Sequence, residues 1–305
     1  MRFDVRVAPN GYAWWYVDAI SDDGVHGITL IAFIGSVFSP YYALSGRKDP
    51  ENHCTLNVAL YGPKARWAMT ERGRGRVRRS ASEFSIAKSA LDWDGETLTV
   101  EINEFGAPLP TPLRGRVRLH APWINEREFE IDPAGRHRWR PLCPASRVEV
   151  EMRDPGLSWS GWSYFDTNDG DAPLEADFRE WHWSRAMLDE GGVAICYDTE
   201  PRESLPRGLA LKFDRKGTLA EFDAPLQRVL PPATIWRAPR LLRSETETGA
   251  KVVRTLEDAP FYSRSEVETE LFGARRRAVH ESLAGDRLAS PLVKALLPFR
   301  MPRLP

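Results

Sequence analysis

At 305 residues the chain has material for one large or two modest domains with a packed core. Its 42 Lys and Arg are balanced by 43 Asp and Glu, which excludes a general nucleic-acid binder with its strong basic excess. The unusual count is eleven Trp, rings that line cores, interfaces and apolar pockets, so composition hints at a ligand cavity.

In chain order the pattern is mainly β. The opening MRFDVRVAPNG has no apolar h-region, so no signal peptide is expected. Tyr12 to Ile20 and Gly27 to Phe33 read as strands around a Ser21-Asp22-Asp23-Gly24 turn. The longest near-apolar run, Ile28 to Phe38, falls short of the roughly 20 residues that span a bilayer, so a cytoplasmic protein is expected. Strands follow at Cys54 to Tyr61, Arg66 to Thr70, Thr97 to Ile102, Arg116 to His120, Glu128 to Ile131 and Val148 to Met152. Asp94-Gly95 is a hairpin signal after Leu91-Asp92-Trp93. Beyond Gly161 to Gly170 come Trp181 to Met187, Gly192 to Tyr197, Leu209 to Phe213 and Thr218 to Phe222, with a turn at Asp214 to Gly217. Short, closely spaced strands predict a sandwich or barrel. Pro-rich sequence at Ala224 to Thr234 marks a soft boundary, giving a main β domain over 1–223 and a smaller β unit over 224–305. In the last segment Leu292, Val293, Leu296, Leu297 and Phe299 stand beside Lys294, Arg300 and Arg303. That pattern fits a docked amphipathic helix or a weak membrane-surface anchor.

Most familiar chemistry is missing. Cys54, Cys143 and Cys196 form no CxxC pair, and His26, His53, His120, His182 and His280 show no metal-ligand spacing. The Arg72 to Arg76 run RGRGR lacks the frame of a phosphate loop, and no GxSxG elbow or kinase signature occurs. Metal-free, cofactor-free acid–base work is what remains, and carboxylate, imidazole and aromatic rings suit it.

Two short segments supply those groups. Tyr164 and Asp166, spaced i, i+2 in GWSYFDTNDG, share one face of an extended chain, as do His137 and Trp139 in AGRHRWRP. If the segments are neighbours, an acid, an imidazole and two rings converge. Trp159, Trp162, Tyr164 and Phe165 surround Asp166 in sequence, and burial among them disfavours the ionised form, so that Asp166 would hold a proton. The competing reading makes Asp166 to Gly170 a turn, for which its composition is well suited. For His137 and Trp139, interleaved with Arg136, Arg138 and Arg140, the competing reading is an edge strand with a solvated basic face.

The runs Gly11 to Tyr42, Gly161 to Ala186 and Glu281 to Arg303 resemble the acyclic carotenoid 1,2-hydratases, also called hydroxyneurosporene synthases. The resemblance implies a lipocalin-like β architecture. It also implies a site with a His-x-Trp pair, here His137 and Trp139, followed by a Tyr-x-Asp pair, here Tyr164 and Asp166. The implied reaction adds water across the terminal 1,2 double bond of an acyclic carotenoid such as neurosporene or lycopene, in carotenoid biosynthesis. Asp166 would act as acid, Trp139 and Tyr164 would hold the cation, and His137 would position or deprotonate water or relay protons. The partners implied are the carotenoid and water, without metal or cofactor, with contact to the membrane that dissolves the substrate. A non-catalytic lipocalin-like carrier of a polyene or lipid is the alternative, and a cyclase or isomerase working through a carbocation is a third.

Overall fold

A computed structural model describes residues 1–304; Pro305, the end of the 224–305 segment, lies outside the described residues. The molecule is mainly β with few helices, in the lipocalin-like architecture. It divides into two compact units: Met1–Glu130, Ala134–Pro173 and Lys294–Pro305 form the first, and Ile131–Pro133 with Leu174–Val293 form the second.

The first unit is built on one sheet. Its strands are β1 (Tyr12–Ser21), β2 (Gly27–Ile34), β3 (Cys54–Tyr61), β4 (Arg66–Arg72), β5 (Val77–Arg79) and β6 (Glu83–Ile86). Then come β7 (Ser89–Trp93), β8 (Thr97–Phe105), β9 (Pro112–His120), β10 (Phe129–Glu130), β11 (His137–Asp154) and β12 (Leu157–Gly170). β1 pairs with β2 on one side and β12 on the other, and β11 lies between β12 and β9. All of these pairings are antiparallel. The expected turns form as their chemistry dictates: Gly24 (φ 71°) and Gly95 (φ 109°) take the left-handed conformation that glycine tolerates. The Asp94 carboxylate accepts from the Glu96 and Thr97 amides at 2.9 and 2.7 Å.

Alternation along β1 sorts its residues onto two surfaces. Ala13, Trp15, Val17 and Ala19 enter the core, with Leu30 and Ala32 of β2, Val58 of β3, Val148 and Val150 of β11 and Phe165 of β12. Tyr12, Trp14, Tyr16 and Asp18 face the other way and are also buried. A strand buried on both faces reads as a nearly continuous apolar run, which is why YAWWYVDAI shows little polar alternation.

The second unit has a seven-stranded sheet and a separate two-stranded ribbon. Its sheet contains β13 (Phe178–Met187), β14 (Val193–Pro201), β15 (Arg207–Phe213) and β16 (Leu219–Glu221). The ribbon joins β17 (Gln227–Val229) to β18 (Leu241–Arg243). The chain re-enters the sheet with β19 (Lys251–Asp258), β20 (Tyr262–Leu271) and β21 (Ala274–Ala284). The Pro-rich stretch at Ala224 to Thr234 therefore lies inside this unit, between strands of the same sheet, and the compact units change over at Pro173/Leu174 instead. That stretch interrupts the strand rhythm because the chain leaves one sheet edge at β16 and returns at the other with β19. The C-terminal helical segment is short, α1 (Pro291–Leu296) followed by a 3₁₀ turn at Leu297–Phe299. A last strand, β22 (Arg303–Leu304), then pairs in parallel with β4 and closes the edge of the first unit's sheet.

Candidate active site

The Asp166 to Gly170 segment is strand, not turn. It is the second half of β12, and tertiary pairing overrides its turn-forming composition. Asp169 is opposite Ala13 on β1 and Arg138 on β11, and the Arg138 Nε donates to its carboxylate at 2.7 Å. Arg138 also donates to Asp171 at 2.8 Å. Burial alone would disfavour the Arg138 charge, but these two carboxylates outweigh it and raise its pKa; burial raises that of Asp169 in turn. Thr167 donates through Oγ1 to the Trp14 carbonyl at 2.7 Å. The His137–Arg140 stretch is likewise no edge strand, since β12 pairs with it on one side and β10 on the other.

This register brings the two expected pairs onto one face. Residues directly opposite in a ladder share a face. Trp139 is opposite Asn168 and His137 opposite Gly170, two and four positions along β12 from Asp166. The Trp139 indole Nε1 donates to Asp166 Oδ2 at 2.9 Å, and the Tyr164 hydroxyl donates to the same oxygen at 2.7 Å. Trp139 Nε1 also lies 3.2 Å from the Tyr164 hydroxyl, closing a three-residue ring of hydrogen bonds. Trp139, Tyr164 and His137 are each 0% exposed and Asp166 5%, so the group sits in a low-dielectric setting. Phe129 packs against Trp139 with ring centroids 5.7 Å apart.

His137 stands apart from that ring. Four residues along a strand separate its level from that of Asp166, roughly 13 Å of backbone at 3.3 Å per residue. Its Nδ1 lies 2.9 Å from the Tyr12 hydroxyl, and the two rings stack with centroids 5.8 Å apart. Gly170 makes that contact possible. A Cβ there would come within 2.6 Å of the Tyr12 ring and 2.8 Å of His137 Nδ1. Tyr12 stacks in turn on Trp14 at 4.9 Å, and Trp14 meets Phe33 edge-on at 5.7 Å, extending the aromatic face across β2.

Sequence reasoning missed the contribution of β1. Tyr16 is directly opposite Asp166, and Asp18 directly opposite Tyr164. Two Tyr-x-Asp pairs thus run antiparallel side by side, each tyrosine facing the other pair's aspartate. The rings of Tyr16 and Tyr164 meet edge-to-face at 6.0 Å. The signal was present in YAWWYVD, where Tyr12, Trp14, Tyr16 and Asp18 recur at every second position. His182, in the second unit, is buried and stacks on His280 at 6.0 Å, with Nε2 3.3 Å from Glu180. Among the described residues no group of His, Cys, Asp and Glu is arranged to hold a metal ion.

The family described as carotenoid hydratase CrtC matches residues 30–305. The chain belongs to this family. An acyclic carotenoid 1,2-hydratase from Thiocapsa roseopersicina is 52% identical over 99% of this chain and 76% of its own length. One from Rubrivivax gelatinosus is 49% identical over the same shares. The fold is also that of kievitone hydratase from Nectria haematococca, whose crystal structure covers 91% of this chain and is itself covered to 90%, with TM-score 0.57 at 12% identity.

Proposed function

We propose that the chain is an enzyme that hydrates the terminal 1,2 double bond of an acyclic carotenoid, of the neurosporene or lycopene type, without metal or cofactor. The relatives that carry the hydratase name support the reaction class. The observation that carries the mechanism is the buried ring of Trp139, Tyr164 and Asp166. Asp166 Oδ2 receives both donors, so a proton carried by this carboxyl belongs on Oδ1. From there Asp166 protonates the less substituted alkene carbon, which leaves the charge on a tertiary carbon.

Water then adds at that carbon and gives a tertiary alcohol. Trp139 and Tyr164 stabilise the cation through their π faces, by about 2 kcal/mol for a desolvated contact. Their polar edges are already turned to Asp166, which holds the rings at the reacting end. His137, held by Tyr12 roughly 13 Å farther along the same face, orders water entering the site rather than serving Asp166 or the reacting carbon directly. The aromatic face of Tyr12, Trp14 and Phe33 provides apolar surface for the polyene. We also propose that the chain meets its membrane-dissolved substrate at the bilayer surface through its C-terminal segment, where Leu292 and Phe299 are exposed near Lys294 and Arg300.

The test is incubation of purified protein with lycopene or neurosporene in micelles made in isotopically labelled water, followed by mass spectrometry. A product one water heavier with labelled oxygen is expected from the wild type, and polyene bound but unchanged from Asp166→Asn. Bound, unchanged polyene with the wild type would make the protein a carrier, and an unlabelled isomer would make it a cyclase or isomerase.

A further inference from the structure

We infer that Asp18 is a second catalytic carboxyl of this site, the base that takes the proton from the attacking water. The inference rests on the hydratase reading and adds a residue to it. Hydration moves two protons, one onto carbon and one off water, and Asp166 accounts for only the first. Water that reaches the cationic carbon from a side other than that of the ionised Asp166 is served by a second group within its reach.

Geometry favours Asp18 over His137. Asp18 is 0% exposed, on the same face as Tyr164 and Asp166. It is diagonal to Asp166 across the β1–β12 ladder, a relation that places backbones about 7–8 Å apart with the side chains closer. That spacing is on the scale of two carboxyls that flank a reacting carbon and one water, whereas His137 is roughly 13 Å along the strand from the level of Asp166. The Tyr16 hydroxyl lies 3.4 Å from Asp18 Oδ2, a longer version of the contact Tyr164 makes with Asp166. The titratable groups that face Asp18 include Tyr16 on its own strand and Tyr164 and Asp166 on β12. On the β2 side Thr29 is its neighbour, and Thr29 accepts a hydrogen bond from the Tyr61 hydroxyl at 3.1 Å.

The steps balance. The O–H bond of Asp166 breaks as the alkene π pair forms a C–H bond at the less substituted carbon. A lone pair of water forms the C–O bond at the tertiary cation. One O–H of the resulting oxonium then breaks, and its proton bonds to the Asp18 carboxylate. Asp18 ends protonated and Asp166 ionised, and one proton passed from the first to the second restores the starting state.

The experiment measures kcat and KM against pH for wild type, Asp18→Asn and the double variant with Asp166→Asn, using lycopene in labelled water. The Asp18→Asn variant is expected to lose roughly 10²-fold in kcat with KM little changed, the size of a general-base contribution. The decline of the wild-type rate at low pH, where the base becomes protonated, should vanish in this variant while the decline at high pH remains. Asp166→Asn, alone or combined with Asp18→Asn, should return bound, unchanged polyene, which separates loss of the acid from the partial loss expected for the base. An Asp18→Asn variant with wild-type kcat, or one that keeps the low-pH decline, overturns the inference. Should that variant not fold, Asp18→Ser is read by the same criteria. A wild type that forms no labelled product overturns the hydratase reading itself, before any substitution is made.

Discussion

Two buried carboxyls of the first unit, Asp166 and Glu104, are held in different ways. Asp166 receives hydrogen bonds from an indole and a phenol in an aromatic setting. Glu104 accepts from the Ser89 hydroxyl at 2.7 Å, with Arg72 3.5 Å away, and its pKa is pushed up to about 7 by burial. Neutral Glu104 is thus favoured by folding. A raised folded-state pKa adds stability below the unfolded value near 4.5, and that stability is lost as pH rises toward 7. Glu104→Gln should flatten this part of the stability curve, removing a dependence on the order of 3 kcal/mol. Urea unfolding at pH 4.5 and pH 7.5 checks it; an unchanged slope between those pH values would show that Glu104 does not titrate there.

At the scale of the element, β12 shows what was legible and what was not. The i, i+2 spacing placed Tyr164 with Asp166, and His137 with Trp139, because strand alternation is local. Whether the pairs met depended on register, which is set by contacts distant in sequence. The same limit hid β1, whose Tyr16 and Asp18 gain meaning only opposite Asp166 and Tyr164. It also made Asp166 to Gly170 look like a turn, since Asp, Asn and Gly favour turns until ladders on both sides claim them. Gly170 is the clearest case: nothing in the sequence marks it as the gap through which Tyr12 reaches His137. A Cβ there meets both rings at under 3 Å, so Gly170→Ala should displace them. We expect a loss of about 1–3 kcal/mol from overpacking and a fall in turnover beyond that of Tyr12→Phe. Unfolding and turnover measured side by side would show it, and a fully active, equally stable Gly170→Ala would mean that the Tyr12–His137 contact is dispensable.

For the whole molecule, the strand count and turn chemistry announced the β class, but the division into units did not follow the composition. Pro-rich sequence marks a long connection within one sheet, and no sequence cue marks the changeover at Pro173/Leu174. No helix among the described residues is long and apolar enough to cross a membrane. Contact with the bilayer, as proposed, rests on exposed side chains, with Leu292 at 71% and Phe299 at 70%. Leu292→Ser with Phe299→Ser should lower co-sedimentation with anionic liposomes while turnover of micellar substrate persists. Undiminished liposome binding would exclude this segment as the contact.

The pairing of β22 with β4 sets an order of events during synthesis. The second unit is nested in the sequence of the first, which resumes at Lys294. A chain emerging amino-terminus first has made all of Leu174–Val293 before it makes Arg303 and Leu304. Until then β4 is an open sheet edge, with unpaired backbone groups that neighbouring nascent chains can bind. The unit begun first is therefore the one finished last, and the interval in which it is vulnerable to aggregation is at least the time taken to translate Leu174–Val293.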